Sequence, residues 1–206
     1  MESAICLIRH GLTEANKRRL YYGASDIPLS DEGCAQLRKL AAEGIYPKAV
    51  NADFYTTGLL RTEQTLSLIY GDVTYGTIPK LREMNFGKFE MHSYDELKTD
   101  GRYQAWITDS SGMTKTPGGE STAEFYTRVE EGFNELRTSH VIRAGSHSDA
   151  KGGHMSVVVC HGGVISAIMQ KLFPDEREHF YQWIPDPGHG FILRLQDSAI
   201  VKNESF

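Results

Sequence analysis

Two short apolar runs leave no face for water, and they constrain this chain more than any other feature. "AICLI" (4–8) and "MSVVVC" (155–160) do not alternate apolar with polar residues, so they read as strands buried on both sides. Such strands sit inside a sheet that helices cover above and below, and helical patterns duly separate the strand-like runs. Ser30 is placed to cap a helix that carries Cys34, Leu37, Leu40 and Ala41. "LLRTEQTLSLIY" (59–70) and "VISAIMQKLF" (164–173) predict two more helices, while "ADFYTT" (52–57), "TIPKL" (77–81) and "GFILRL" (190–195) predict strands, the last of them closing the sheet. Two short helices are expected around 93–107. "PGGES" (117–121) is a turn, after which Glu120, Ser121 or Thr122 caps a helix to about residue 137. The polar stretch "AGSHSDAKGGH" (144–154) is then expected to form a mobile loop. The alternation predicts an α/β fold, a three-layer sandwich with a mainly parallel sheet and helices on both faces. No second core or linker interrupts it, so residues 1–206 are expected to form a single domain.

The formal net charge of −5 argues against general affinity for nucleic acid or an anionic membrane. No apolar run approaches the roughly 20 residues that cross a bilayer, and no leader pattern opens the chain. Cys6, Cys34 and Cys160 fit neither a disulfide framework nor a zinc spacing, which predicts a reducing, cytoplasmic setting.

Both buried runs end alike, "LIRHG" in Arg9-His10-Gly11 and "VVVCHGG" in His161-Gly162-Gly163. In open α/β sheets ligands bind outside the carboxyl ends of the strands. A helix starting near Val164 would aim free N–H groups at that crevice, and Arg61, early in the helix after the 52–57 strand, can face it. One histidine at a strand end is ordinarily structural. Two, with two arginines and a helix terminus, describe an anion site suited to phosphate. Ligand spacing for a metal is lacking, and so is the G-x-S-x-G elbow of serine hydrolases. The residues alone stop at an anion-binding α/β protein.

The blocks "LIRHGLTEAN" (7–16), "YGASDIPLSDEGCAQL" (22–37), "TTGLLRTEQT" (56–65), "LREMNFGKFE" (81–90), "PGGES" and "VVVCHGG" resemble, in order, the motifs of the histidine phosphatase superfamily, also called phosphoglycerate mutase-like. The resemblance implies a phosphoglycerate mutase-like sheet with one strand antiparallel to the rest. It implies that His10 is a nucleophile that becomes phosphorylated, with Glu83 as proton donor. Arg9, Arg61 and His161 would bind phosphoryl oxygens, helped by Asn16 and the Gly162 backbone. Tyr22, with Arg18 and Tyr21, is expected to border the pocket, as are Met84 and the segment 91–116. No metal or organic cofactor is implied. The expected partner is a small phosphorylated substrate, with no nucleic acid or membrane, and the pattern leaves room for a homodimer.

Glu90, Glu120 and Ser121 read as scaffold, His147 and His154 as solvated loop residues. His189 falls at either rim of the sheet. The family often carries Ser-Pro where this chain has Thr57-Gly58, Ala where it has Thr62, and Gly where it has Met91. Mutases of this type carry longer insertions near the site than the stretch between Glu83 and His161 provides. The expected activity is therefore hydrolysis of a small phosphomonoester through a phosphohistidine, with a mutase-type phosphotransferase as the alternative and a non-catalytic phosphate-binding protein behind both.

Overall fold

A computed structural model describes residues 2–146 and 153–206. Six strands form one sheet in the order β3-β2-β4-β1-β5-β6: β1 (Glu2–Arg9), β2 (Ala52–Thr56), β3 (Tyr75–Thr77), β4 (His154–Cys160), β5 (Gly190–Gln196) and β6 (Ala199–Ser205). The pairs β1–β4, β4–β2 and β2–β3 are parallel, and β5 runs antiparallel to both of its neighbours. Among the described strands β5 is thus the one of opposite sense, as the resemblance implied. The two fully apolar runs lie side by side at the centre, in register from Ser3↔His154 to Arg9↔Cys160.

Alternate residues of these strands serve different layers. Ile5, Leu7, Val158 and Cys160 pack with Val129 and Phe133 of α6 (Thr122–Ser146) and with Ile165 and Met169 of α7 (Gly162–Leu172). Cys6, Ile8, Val157 and Val159 pack with Leu66 of α3 (Leu60–Tyr70) on the other face, and α2 (Asp31–Glu43) packs on α3. The predicted Ser30 cap holds, its hydroxyl accepting from the Gly33 amide at 3.0 Å. Three shorter helices complete the order: α1 (Glu14–Lys17), α4 (Tyr94–Leu97) and α5 (Gly101–Ile107). No helix is long and apolar enough to cross a membrane, among the residues described.

Four expectations need correction. The strand expected at "TIPKL" is Tyr75–Thr77, and Pro79–Leu81 turns into a 3-10 helix. Proline there fixes φ and offers no N–H to a ladder. The chain does not close at residue 195, because β6 follows through a two-residue turn in which Asp197 and Ser198 both take positive φ (49° and 69°). That geometry matches the twist of a tight hairpin. The strand itself, "AIVKNES", is a charged edge with little apolar pattern, which hid it. Helix α6 runs to Ser146, past the expected end near 137, because Leu136, His140 and Ala144 keep one face buried. His154 belongs to β4 and is 5% exposed, so it is not a solvated loop residue. His147 and most of the expected mobile loop lie outside the described residues.

Candidate active site

The register of β1 on β4 sets the two His-Gly ends abreast. His10 N–H donates to the Cys160 carbonyl at 3.0 Å, and the His10 and His161 rings lie 5.3 Å apart. His10 is 3% exposed and His161 fully buried. Nδ1 of His10 lies 2.7 Å from the Gly11 carbonyl, an acceptor only, so Nδ1 carries the hydrogen and the lone pair is on Nε2. Burial, reinforced by the Arg61 and Arg9 charges, holds the His10 imidazole well below its ordinary pKa. Burial and Arg61 do the same for His161. Both rings are therefore neutral at neutral pH. The Tyr22 hydroxyl stands 3.4 Å from His10 Nε2, where the sequence had placed it.

Each arginine is held by carbonyl oxygens with its Nε to spare. Arg9 Nη1 donates to the Pro185 carbonyl at 2.7 Å. Arg61, fully buried, donates to Ser25 and Gly23 carbonyls at 2.8 Å and lies over the Tyr22 ring. Arg9 Nε, Arg61 Nε and His161 Nδ1 are buried with no protein partner. Burying such groups unpaired is costly, so their grouping around His10 describes a place for an anion.

Glu83 comes from the irregular stretch between β3 and α4. Its Oε1 accepts from the Met84 amide at 2.9 Å and Oε2 from the Gly163 amide at 2.8 Å, at the start of α7. A Cβ on Gly163 would stand 2.5 Å from Oε1, so glycine is what lets the carboxyl approach the helix terminus. Burial pushes the Glu83 pKa up, against the opposing pull of those two amides and the arginines.

Support for these groups was partly legible. Glu90 is scaffold, as expected: its carboxylate accepts from the Gly23, Ala24, Ser25 and Phe86 amides, fixing the loop whose carbonyls hold Arg61. Gly23 is required, since a Cβ there would fall 1.7 Å from the Met84 carbonyl oxygen. Glu120 accepts from the Asn85 amide at 2.8 Å, and Ser121 caps α6 by accepting from Glu124 N–H. Asn16 spends its Oδ1 on the Thr13 amide and hydroxyl at the start of α1, which leaves its NH2 end for a ligand.

The remaining residues expected near the pocket have these surroundings. The Tyr21 hydroxyl bonds that of Tyr103 at 2.6 Å in an aromatic cluster with Phe86 and Trp106. Met84 joins the core and Arg18 is exposed. His189 lies at the carboxyl rim, its carbonyl accepting from Arg9 N–H.

Two functional supports escaped the sequence. Arg128 donates to the carbonyls of Lys80, Arg82 and Glu83 and pairs with Glu120, stapling the Glu83 stretch to α6. Thr57 touches His161. Arg128 has no signature beyond an arginine on an amphipathic helix, and Thr57 none beyond a hydroxyl residue where the family often carries Ser. No group of three or more His, Cys, Asp or Glu residues suited to a metal occurs among the described residues.

The model of the histidine phosphatase superfamily (branch 1) matches residues 5–203. The adenosylcobalamin/alpha-ribazole phosphatase of Salmonella typhimurium is 31% identical over 170 residues, covering 81% of this chain and 77% of that protein. A 2,3-bisphosphoglycerate-dependent phosphoglycerate mutase of Beijerinckia indica is 24% identical over 99% of this chain and 97% of its own length. The crystal structure of the alpha-ribazole phosphatase from Shigella flexneri superposes with a TM-score of 0.74 at 26% identity, covering 95% of this chain and 92% of that one. The mutase's near-equal span corrects one expectation: chain length does not separate hydrolase from mutase here.

Proposed function

The chain belongs to the histidine phosphatase superfamily, branch 1, and from that premise we propose that it hydrolyses a small phosphomonoester through a phosphohistidine at His10. One observation carries this assignment: three buried, unpartnered nitrogens of Arg9, Arg61 and His161 accompany an imidazole whose Nε2 bears the lone pair and meets only the long, 3.4 Å contact of the Tyr22 hydroxyl. That arrangement offers hydrogen-bond donors for phosphoryl oxygens beside a nucleophile.

Nε2 of neutral His10 attacks phosphorus, and the two guanidinium groups with His161 offset charge on the phosphoryl oxygens. Carbonyl oxygens hold both guanidinium groups in place before substrate arrives. The departing alkoxide needs a proton. Glu83, kept protonated more readily by burial and further by a phosphate dianion beside it, supplies one. As a carboxylate it then takes a proton from the water that attacks phospho-His10, which restores both residues.

The alpha-ribazole phosphatases among its relatives support hydrolysis over transfer and make alpha-ribazole-5'-phosphate the first substrate to try. The test is a phosphomonoester panel ranked by kcat/KM, including that compound, an aryl phosphate and 3-phosphoglycerate, with His10→Ala as the blank. Phosphate release from panel members is expected. Interconversion of phosphoglycerates with little phosphate release would assign a mutase instead, and binding of phosphate without turnover or phosphoenzyme would assign a binding protein.

A further inference from the structure

A neutral histidine can serve the phosphoryl group only if its hydrogen is on the correct nitrogen, and the fold decides which. Nε2 of His161 lies 3.0 Å from the Thr57 hydroxyl oxygen, while Nδ1 is buried with no protein partner. With the hydrogen on Nδ1, the ring donates to a phosphoryl oxygen. With it on Nε2, a lone pair faces the anion instead, and the contact is repulsive.

The Thr57 hydroxyl carries one hydrogen and has two acceptors in reach, His161 Nε2 at 3.0 Å and Thr62 Oγ1 at 3.4 Å. Thr62 does not return the favour, because its own hydroxyl hydrogen is committed to the Leu59 carbonyl at 2.7 Å. Thr62 Oγ1 also faces the Thr57 amide at 3.4 Å. The imidazole nitrogen is the nearer of the two acceptors, so the Thr57 hydrogen makes its stronger bond there. Both threonines are fully buried, so water does not compete for it. The Thr57 backbone is fixed as well, its carbonyl accepting from Arg82 Nε at 2.9 Å.

We propose that Thr57 is a positioning residue whose hydroxyl donates to Nε2 of His161, holds the imidazole as its Nδ1–H form, and so makes His161 a hydrogen-bond donor to the phosphoryl group. The role in phosphoryl binding rests on the phosphatase assignment above; the choice of tautomer does not. Burial beside two arginines keeps the ring neutral, which is the condition under which a tautomer choice matters. Any residue with a hydroxyl at position 57 should serve, and Thr62, which only accepts, should be dispensable for the choice.

The test is long-range 1H–15N correlation of the histidine rings in the full chain, with inorganic phosphate saturating and His161→Gln used for assignment. Wild type is expected to show His161 with Nδ1 protonated and Nε2 bare, and Thr57→Ser and Thr62→Ala should keep that pattern. Thr57→Val should give a tautomer mixture and raise the inhibition constant of phosphate about tenfold, the loss of a charge-assisted hydrogen bond. Protonation at Nε2, or at both nitrogens, in the wild type would overturn the proposal. So would an unchanged tautomer in Thr57→Val. If Thr57→Val does not fold, the wild-type and Thr57→Ser spectra still decide. Absent phosphatase activity with an Nδ1–H ring would remove the phosphatase assignment and leave the tautomer inference standing, whereas activity with an Nε2–H ring would do the reverse.

Discussion

Nδ1–H of His10 donates to the Gly11 carbonyl at 2.7 Å, so one backbone acceptor leaves Nε2 with the lone pair that the proposed attack on phosphorus uses. Replacing His10 by Ala should reduce turnover to background and abolish an acid-labile phosphoenzyme; a chain that still turns over would remove His10 from the mechanism. Glu83 has the complementary task and a carboxyl whose pKa burial raises. Because its protonated form donates to the leaving group, kcat/KM should fall as pH rises through that pKa. Glu83→Gln is nearly isosteric and keeps one of the two amide contacts, since its NH2 end cannot accept from an N–H, and it holds no transferable proton. Its kcat should drop by about 10²–10⁴-fold and its profile should lose the alkaline limb; a retained limb would assign that limb to another group. Residue types at these positions were readable because both roles depend on side-chain chemistry. The Thr57 contact was not, since a threonine at a strand end is ordinary until the fold brings His161 against it.

Helix α6 does two separable things for the site and for the fold. At its start Ser121 caps the helix, and Ser121→Ala should lower stability by about 0.5–2 kcal/mol with kcat unchanged, read from urea midpoints and initial rates. Two turns on, Arg128 holds the carbonyls of residues 80, 82 and 83. Arg128→Lys keeps the charge near Glu120 but loses the planar fork. We expect kcat to fall about tenfold or more with a smaller effect on KM, as misplacing an acid by a fraction of an ångström does; unchanged kcat would make Arg128 purely structural. The helix was legible from its turn and cap. Its far half was not, because the buried stripe there runs through Leu136, His140 and Ala144, and a buried histidine breaks an apolar pattern without breaking the helix.

At the scale of the whole molecule, three of the four histidines buried among the described residues make stability depend on acidity. His10 and His161 are held well below their ordinary pKa, and His140, bonded to Ser3 and Ser156 hydroxyls, is lowered to about 4 by burial and by its neighbour His154. The unfolded chain takes up protons at these positions near pH 6.5 and the folded chain does not. Their contribution to stability is thus complete above about pH 6.5 and declines as pH falls toward 4. The urea midpoint should be lower at pH 5 than at pH 7, a window above the titration of ordinary carboxylates. An equal or higher midpoint at pH 5 would contradict the burial of neutral imidazoles. The same end of the sheet shows how whole-molecule packing outranks local pattern: His154, polar and next to a Gly-rich stretch, is drawn into β4 because the strand continues to pair with Ser3.

The order of residues alone specified the central strands, most of the helices that flank them, and which side chains the proposed phosphate site would use. Apolar periodicity and strand-end chemistry are local properties, written in consecutive residues. It did not determine β6, whose pairing rests on a two-residue turn and an edge that needs no apolar face. Nor did it determine which residues hold the reactive ones, because Thr57, Arg128 and Pro185 reach the site across 25 or more positions of chain, at Arg82, Glu83 and Arg9. Those contacts arise on folding: a hydrogen bond requires two atoms within about 3 Å, and that proximity is a property of the packed sheet, settled by the β1–β4 register and the layers closed over it.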